Sequence, residues 1–315
     1  DGVLDSIDGM KIDLDSPEFW AFLLRGISRR EGNFRSALSE GTVRASKILG
    51  LGEDRLKQLF PAWGYAGHWD GHGDRINYVF FPYWVVTALQ WAVDTRDPVS
   101  SAHGYGQNIM GWSRVCSPEH GLDWNTIKKV SAKIYGTETC ADPESGYSGK
   151  AFPVWWHGQR SVMKDSLTVG DQVFPRIYSN KTENHFAVAG DMEGPSFERH
   201  MFTSLTGISW TDKELEHASE RVIQLERALL VRNFNRSRAD DESVIPYFEA
   251  KEQQTNPLIG HEMALDSVKF KKVMDEYYDL RGWSRKTGRP TAETLKNFGL
   301  EKEAKELGDL IVEDD

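Results

Sequence analysis

Some stretches of this chain hold residues that could do chemistry. In Lys164-Asp-Ser-Leu-Thr-Val-Gly170 a carboxylate, Asp165, closes a run from Trp155 to Met163 that reads as a helix with aromatics at its start. Thr168-Val-Gly170 then breaks that helix. An ionised carboxylate only accepts hydrogen bonds, so Asp165 suits a polar ring with several N–H donors, and glycine lets backbone come close to it. A plain helix C-terminus with a glycine stop has the same pattern. His68-Trp-Asp70-Gly-His72 offers metal-ligand side chains, but its glycines argue against a helix that would point both histidines one way. A pocket rim or a hydrogen-bonded loop is the reading for that stretch. Asp94 to His103 places Arg96, Asp97 and a histidine in a loop. Imidazole is suited to moving a proton near neutral pH, and a histidine that is only a loop residue fits equally.

Composition narrows the function classes. The 315 residues are 39% hydrophobic, enough to bury one or two cores. A net charge of -10 and a pI near 5.5 speak against nucleic-acid binding. No apolar run reaches the roughly 18 residues of a membrane span. No secretory leader is visible, and the two cysteines, Cys116 and Cys140, cannot build a disulfide framework. A reducing, cytoplasmic setting is expected. With 11 Trp, 15 Phe and 10 Tyr, the chain can fill a dense core or line a large apolar pocket. It starts at Asp1 rather than Met, which suggests a fragment, a processed subunit or part of something longer.

The elements that must position these residues read mainly as helices. Asp1 to Gly9 is a loop leading into the first helix, which starts at Ser16-Pro17-Glu18 with Ser as N-cap and Pro at the first helical position. Phe19, Leu23 and Ile27 mark its face. Phe34 to Leu49 reads as a second helix, and Gly41 inside it would cost about 1 kcal/mol relative to alanine, sensible if another backbone packs there. Tyr78 to Val93 is apolar without alternation, as in a buried helix. Another helix begins at Asp123 or Asn125, with Ile127, Val130 and Ile134 on one face. Gly136 to Lys150 is a loop in which Cys140 is inert, and Asn180 to Gly194 is a polar loop of the kind that shapes pocket mouths. Thr211-Asp-Lys-Glu214 is a capping box opening a long amphipathic helix. On it Arg221, Glu226 and Arg227 are either a solvated face or structural. Helices over Val268–Leu280, from Thr291, and over Glu301–Ile311 complete the chain. No repeat, βαβ pattern, Walker motif or dinucleotide fingerprint occurs. The fold class is mainly α, divided into residues 1–75 and 76–315.

Several segments resemble the aldehyde ferredoxin oxidoreductase family. Asp165-x-x-Thr168-Val169-Gly170 resembles its Asp-x-x-Gly-Leu-Cys motif, and Leu4-Asp5-Ser6-Ile7 the end of its Asp-x-x-Gly-Leu-Asp motif with the following Thr-Ile. Leu38-Ser-Glu-Gly-Thr-Val-Arg-Ala45 is similar to the family's Leu-Ala-Glu-Gly-x-x-Arg-Ala. Ala92 through His103 resembles Ala-Thr-x-x-Arg-Gly-x-Cys-His with a longer spacer and no cysteine. Glu220 to Arg227 and Arg232 to Pro246 are similar to further family segments. Asp275-Glu-Tyr-Tyr-Asp-Leu-Arg-Gly-Trp283 resembles the C-terminal Tyr-Tyr-x-x-Arg-Gly-Trp signature, the most specific match of all.

The resemblance implies two packed helical domains of that family's type. It implies a tungsten (or molybdenum) ion held by the dithiolenes of two pterins, and a nearby [4Fe–4S] cluster. Leu4, Asp5, Arg96, Asp97, Asp165, Val169 and Gly170 would then bind cofactor, and His103 would be catalytic. Gly170 stands where the family has a cluster-ligating Cys, and no Cys-x-x-Cys-x-x-x-Cys segment occurs in this sequence. An absent cluster is therefore expected, the other outcomes being a non-Cys ligand such as Asp171 or an iron open to water. The implied reaction is oxidation of an aldehyde to a carboxylic acid. Electrons would pass to ferredoxin or another electron-transfer subunit, and an N-terminal domain or separate chain would carry the rest of the site. Reduction of an aromatic acyl-CoA ring, or a helical subunit without catalysis, are the alternatives.

Overall fold

The computed structural model describes residues 4–54, 84–95, 122–142, 144–169, 188–189, 192–193, 196–245 and 265–311. The chain divides into two compact units, 1–67 and 68–315.

In the first unit, Asp8 and Gly9 both take positive φ, 45° and 85°. Two such residues in succession make the tight turn that joins antiparallel strands. The turn links β1 (Ser6–Ile7) to β2 (Met10–Lys11), with Ser6 opposite Lys11 and Ile7 opposite Met10. The expected loop is thus a small hairpin. It lets Ile7 reach a core made with Phe19 and Leu23 of α1 (Pro17–Arg29). Helix α1 starts as its sequence indicates, the Ser16 side chain accepting from the Phe19 N–H at 3.2 Å.

The single helix expected over Phe34–Leu49 is two: α2 (Asn33–Leu38) and α3 (Thr42–Leu49). Gly41 explains the break. It has φ 85°, and a Cβ built on it would meet nothing within 4 Å. Its glycine is needed for a left-handed backbone, not for close packing. Helix α2 begins at Gly32 without a side-chain cap of its own. The hairpin supplies one: the Asp8 carboxylate accepts from the N–H groups of Phe34 (3.1 Å) and Arg35 (3.2 Å) and from Arg35 Nε (3.0 Å).

The second unit is organised around one helix. Helix α4 (Trp84–Val93), α5 (Trp124–Tyr135), α8 (Asp212–Phe234) and α10 (Ser267–Arg281) all pack against α6 (Ala151–Ser166). The Asp123 side chain caps α5 by accepting from the Thr126 N–H. Pro153 falls in the first turn of α6, where a missing N–H costs nothing. The short strands β3 (Val188–Ala189) and β4 (Met192–Glu193) pair and lead to α7 (Phe197–Thr206). The capping box at Thr211 and Glu214 forms as the sequence predicts. Helix α9 (Arg238–Asp241), α11 (Ala292–Asn297) and α12 (Glu301–Leu307) follow, α12 packing on α8.

Polar groups buried among these helices fix their register. Glu220 of α8 accepts from Gln159 of α6 at 2.9 Å, from Gln224 at 2.8 Å, and from Arg281 of α10. Arg227, fully buried, donates to both Asp241 oxygens (3.0 and 2.6 Å) and twice to the Gly288 carbonyl (3.0 and 2.7 Å). The structural reading of Arg227 is therefore the right one, whereas Arg221 is exposed. Tyr278 completes the cluster by donating to Asp241 at 2.7 Å. Removing one partner from such a cluster leaves a buried charge uncompensated, at a cost of about 3–5 kcal/mol.

Candidate functional site

The site that the sequence points to begins where α6 emerges from the core. Its residues from Gln159 to Lys164 are all buried, and Asp165 is the first to be exposed. The chain then closes the helix with a left-handed cap. The Thr168 N–H donates to the Asp165 carbonyl at 3.1 Å and the Val169 N–H to the Lys164 carbonyl at 2.9 Å. This paired bonding is the Schellman arrangement, and it requires positive φ at Thr168, which is 58°. A left-handed conformation costs a residue other than glycine about 1–2 kcal/mol, and threonine, branched at Cβ, is poorly suited to it.

The N–H groups of Thr168 and Val169 are spent on the helix's own carbonyls, so they are not donors for a ligand. Among the described residues, Asp165 presents an exposed carboxylate at this end.

What holds α6 in place just inside this end was not read from the sequence. Arg160 and Glu198, the latter in the first turn of α7, form a buried ion pair. Burial pushes the Glu198 carboxyl up, outweighing the opposing pull of Arg160 and Lys164. His157, fully buried, is held well below the ordinary imidazole range, first by burial and then by Lys164 and Arg160. It is neutral and pairs with the Tyr135 hydroxyl at 2.7 Å. The signal was there: His157, Arg160 and Lys164, three and four residues apart, lie on one side of a helix whose other residues are largely apolar.

The start of α6 is held by Lys150. Its ammonium donates to the carbonyls of Thr139 (3.0 Å) and Cys140 (3.0 Å) and to Ser145 Oγ (2.9 Å). Burial, the larger effect, drives its pKa down to about 7 against the pull of Cys140 and Asp142. Cys140 donates its thiol to the Gly149 carbonyl at 3.0 Å, and burial pushes its pKa up to about 12. A thiol so poorly ionised is unreactive.

The other sequence-predicted residues distribute as follows. Leu4 and Asp5 lie in the first unit, both exposed, with the Asp5 carbonyl accepting from the Ile12 N–H at 3.0 Å at the hairpin base. Asp165 and Val169 lie in the second unit. Arg96, Asp97, His103 and Gly170 lie outside the described residues, as do His68, Asp70 and His72. The chain that leads to Arg96 is described as far as Thr95. Thr95 donates its hydroxyl to Glu226 at 2.5 Å, and Arg236 donates to the Ala92 carbonyl at 2.8 Å, so the end of α4 is tied to α8 and to the turn after it. Beside this end lies a cavity of about 20 Å³, lined by Gln90, Asp94, Thr95, Gly158, Tyr277 and Arg281 among others. It has the size and polar lining for a single water molecule.

Among the described residues, no group of three or more His, Cys, Asp or Glu side chains is placed to hold a metal ion. No helix of these residues is long and apolar enough to cross a membrane. The exposed Asp165 carboxylate at the end of α6 has the chemistry to accept hydrogen bonds from the N–H edge of an organic ring.

The family model for aldehyde ferredoxin oxidoreductase, domains 2 & 3, matches residues 1–300. Among solved structures, a chain of the active-site complex BamBC of benzoyl coenzyme A reductase, in complex with 1,5-dienoyl-CoA, is similar in fold. The TM-score is 0.51 and the sequence identity 16%, over 92% of this chain and 40% of that one. This chain thus spans less than half the length of that solved relative.

Proposed function

The chain belongs to the aldehyde ferredoxin oxidoreductase family, and on that premise we propose that it is the helical, pterin-holding part of a tungsten (or molybdenum) oxidoreductase. The observation that carries this reading is the exposed Asp165 carboxylate at the capped end of an otherwise buried helix. When bound, the metal with its two pterins supplies the redox chemistry, and the protein supplies position and proton handling. Asp165 and Asp5 would accept hydrogen bonds from the pterins. Val169, Leu4, Arg96, Asp97 and Gly170 complete the contacts. His103 takes or gives the proton that accompanies oxidation of an aldehyde to a carboxylic acid. Electrons leave to ferredoxin or another electron-transfer subunit, and a further domain or chain carries the remaining part of the site.

The test is chemical analysis of the intact protein, isolated anaerobically. Tungsten or molybdenum near one per chain, with pterin, supports the reading. Asp165→Ala should remove pterin and metal together. A variant that keeps its full cofactor would sink the assignment of Asp165, and a wild-type protein with neither pterin nor metal would sink the function.

A second reading, reduction of an aromatic acyl-CoA ring, draws on the likeness in fold to the benzoyl coenzyme A reductase complex. Assaying the loaded protein with aldehydes and, separately, with aromatic acyl-CoA thioesters decides between the two.

A further inference from the structure

Among the described residues, the residues other than glycine in the left-handed region are Asp8, Arg30, Thr168 and Asn235. Asp and Asn tolerate this conformation better than other types. Three of the four also have visible compensation. Asp8 caps α2 with three hydrogen bonds. Asn235 accepts from Arg289 through both its carbonyl (3.2 Å) and its side chain (2.7 Å). Arg30 pairs with Glu40, and its carbonyl accepts from Ser36 Oγ at 2.6 Å.

Thr168 differs in two respects. Like the other three it is exposed, but it is branched at Cβ and its hydroxyl has no partner among the described residues. Backbone strain of this kind persists where something else offsets it, and it gathers at ligand-binding positions. The strained residue folds back over the last turn of α6, its N–H on the Asp165 carbonyl at 3.1 Å. Thr168 is exposed, three residues beyond the Asp165 assigned above to the pterin.

We propose that the Thr168 hydroxyl is a second cofactor contact, hydrogen-bonding the polar edge of the same pterin ring that the Asp165 carboxylate holds. The inference rests on the function proposed above. The hydroxyl can both donate and accept, so it complements a carboxylate that can only accept. Together they recognise a ring edge on which N–H donors stand next to a ring nitrogen or carbonyl acceptor. The hydrogen bond to the ring adds, to the two backbone bonds of the cap, the side-chain bond that the other three left-handed residues find within the protein.

The experiment uses the complete holoprotein and three substitutions, with pterin per chain measured after extended dialysis and the melting temperature measured on the same samples. Thr168→Val keeps the shape and loses the hydroxyl, so it should retain pterin roughly three- to tenfold less well, the scale of one net hydrogen bond. Thr168→Ser keeps the hydroxyl and should retain pterin as the wild type does. Thr168→Gly relieves the strain, so the cofactor-free protein should melt about 2 °C higher while its pterin retention falls as in the valine variant. Wild-type retention in both the valine and glycine variants would overturn the proposal, as would a serine variant as poor as the valine one. Pterin lost from Asp165→Ala but kept by every Thr168 variant would sink this inference alone. A wild-type protein without pterin would sink both it and the function it rests on.

Discussion

Arg281, in the last turn of α10, forms a buried ion pair with Glu220 of α8, and its guanidinium also donates to the Trp155 carbonyl of α6 at 3.1 Å. One side chain thus ties three helices of the second unit. A Cβ on Gly158 would come within 2.9 Å of Arg281 Nη2, so a glycine in α6 leaves room for it.

Arg281→Met should destabilise the protein by about 3–5 kcal/mol, because it leaves Glu220 buried without its cation. Denaturant unfolding checks this. The double variant Arg281→Met with Glu220→Leu should recover only part of the loss. Gln159 would lose its acceptor on Glu220, and Gln224 one of its two, since it also donates to the Arg281 carbonyl.

Lys150 sets a pH dependence. Its folded pKa of about 7 lies below the ordinary 10.5. Between those values the unfolded chain holds the extra proton, so stability should rise as pH increases from about 7 to 10.5. The contribution is at most about 1.4 kcal/mol per pH unit. Below pH 7 both states carry the proton and the group contributes no slope. Unfolding curves at pH 7 and pH 9 should show a smaller difference in Lys150→Met than in the wild type. Equal differences would mean that burial of this amine does not depress its pKa.

Asp8 acts in the same direction, but at acid pH. Burial opposes its ionisation, but the Phe34 and Arg35 donors outweigh that and hold its carboxyl below 3.8. Its stabilisation should be complete above pH 3.8 and disappear as pH falls through the lower folded value. At pH 7, Asp8→Ala should cost about 2 kcal/mol, through the lost cap and the partner taken from Arg35. Thermal unfolding of the variant against the wild type measures it, and an unchanged melting temperature would contradict the capping role.

His103→Ala should keep pterin and metal and lower turnover by about 10²–10⁴. Steady-state rates normalised to cofactor content give the answer. Turnover close to that of the wild type would leave His103 as an ordinary loop residue.

Much of the helical frame was legible because its signals are local. Ser16, Asp123, Thr211 and Thr291 each cap the helix expected from them. The break at Gly41 was not legible, since a glycine in an apolar-periodic run looks the same whether it sits within a helix or bends the chain between two. The hairpin at Asp8-Gly9 was missed because its strands are only two residues long, too short for alternation to register. At the candidate site, Asp165 could be singled out by its place at a helix end. The Arg160–Glu198 pair could not, because it joins residues 38 apart in the chain. The left-handed state of Thr168 was equally hidden, since its residue type argues against it.

The burial of α6 has a mechanical consequence. A rod gripped by four neighbours can neither roll nor slide without disturbing all of them at once. The carboxylate at its tip therefore inherits the rigidity of the whole unit and serves as a fixed reference point.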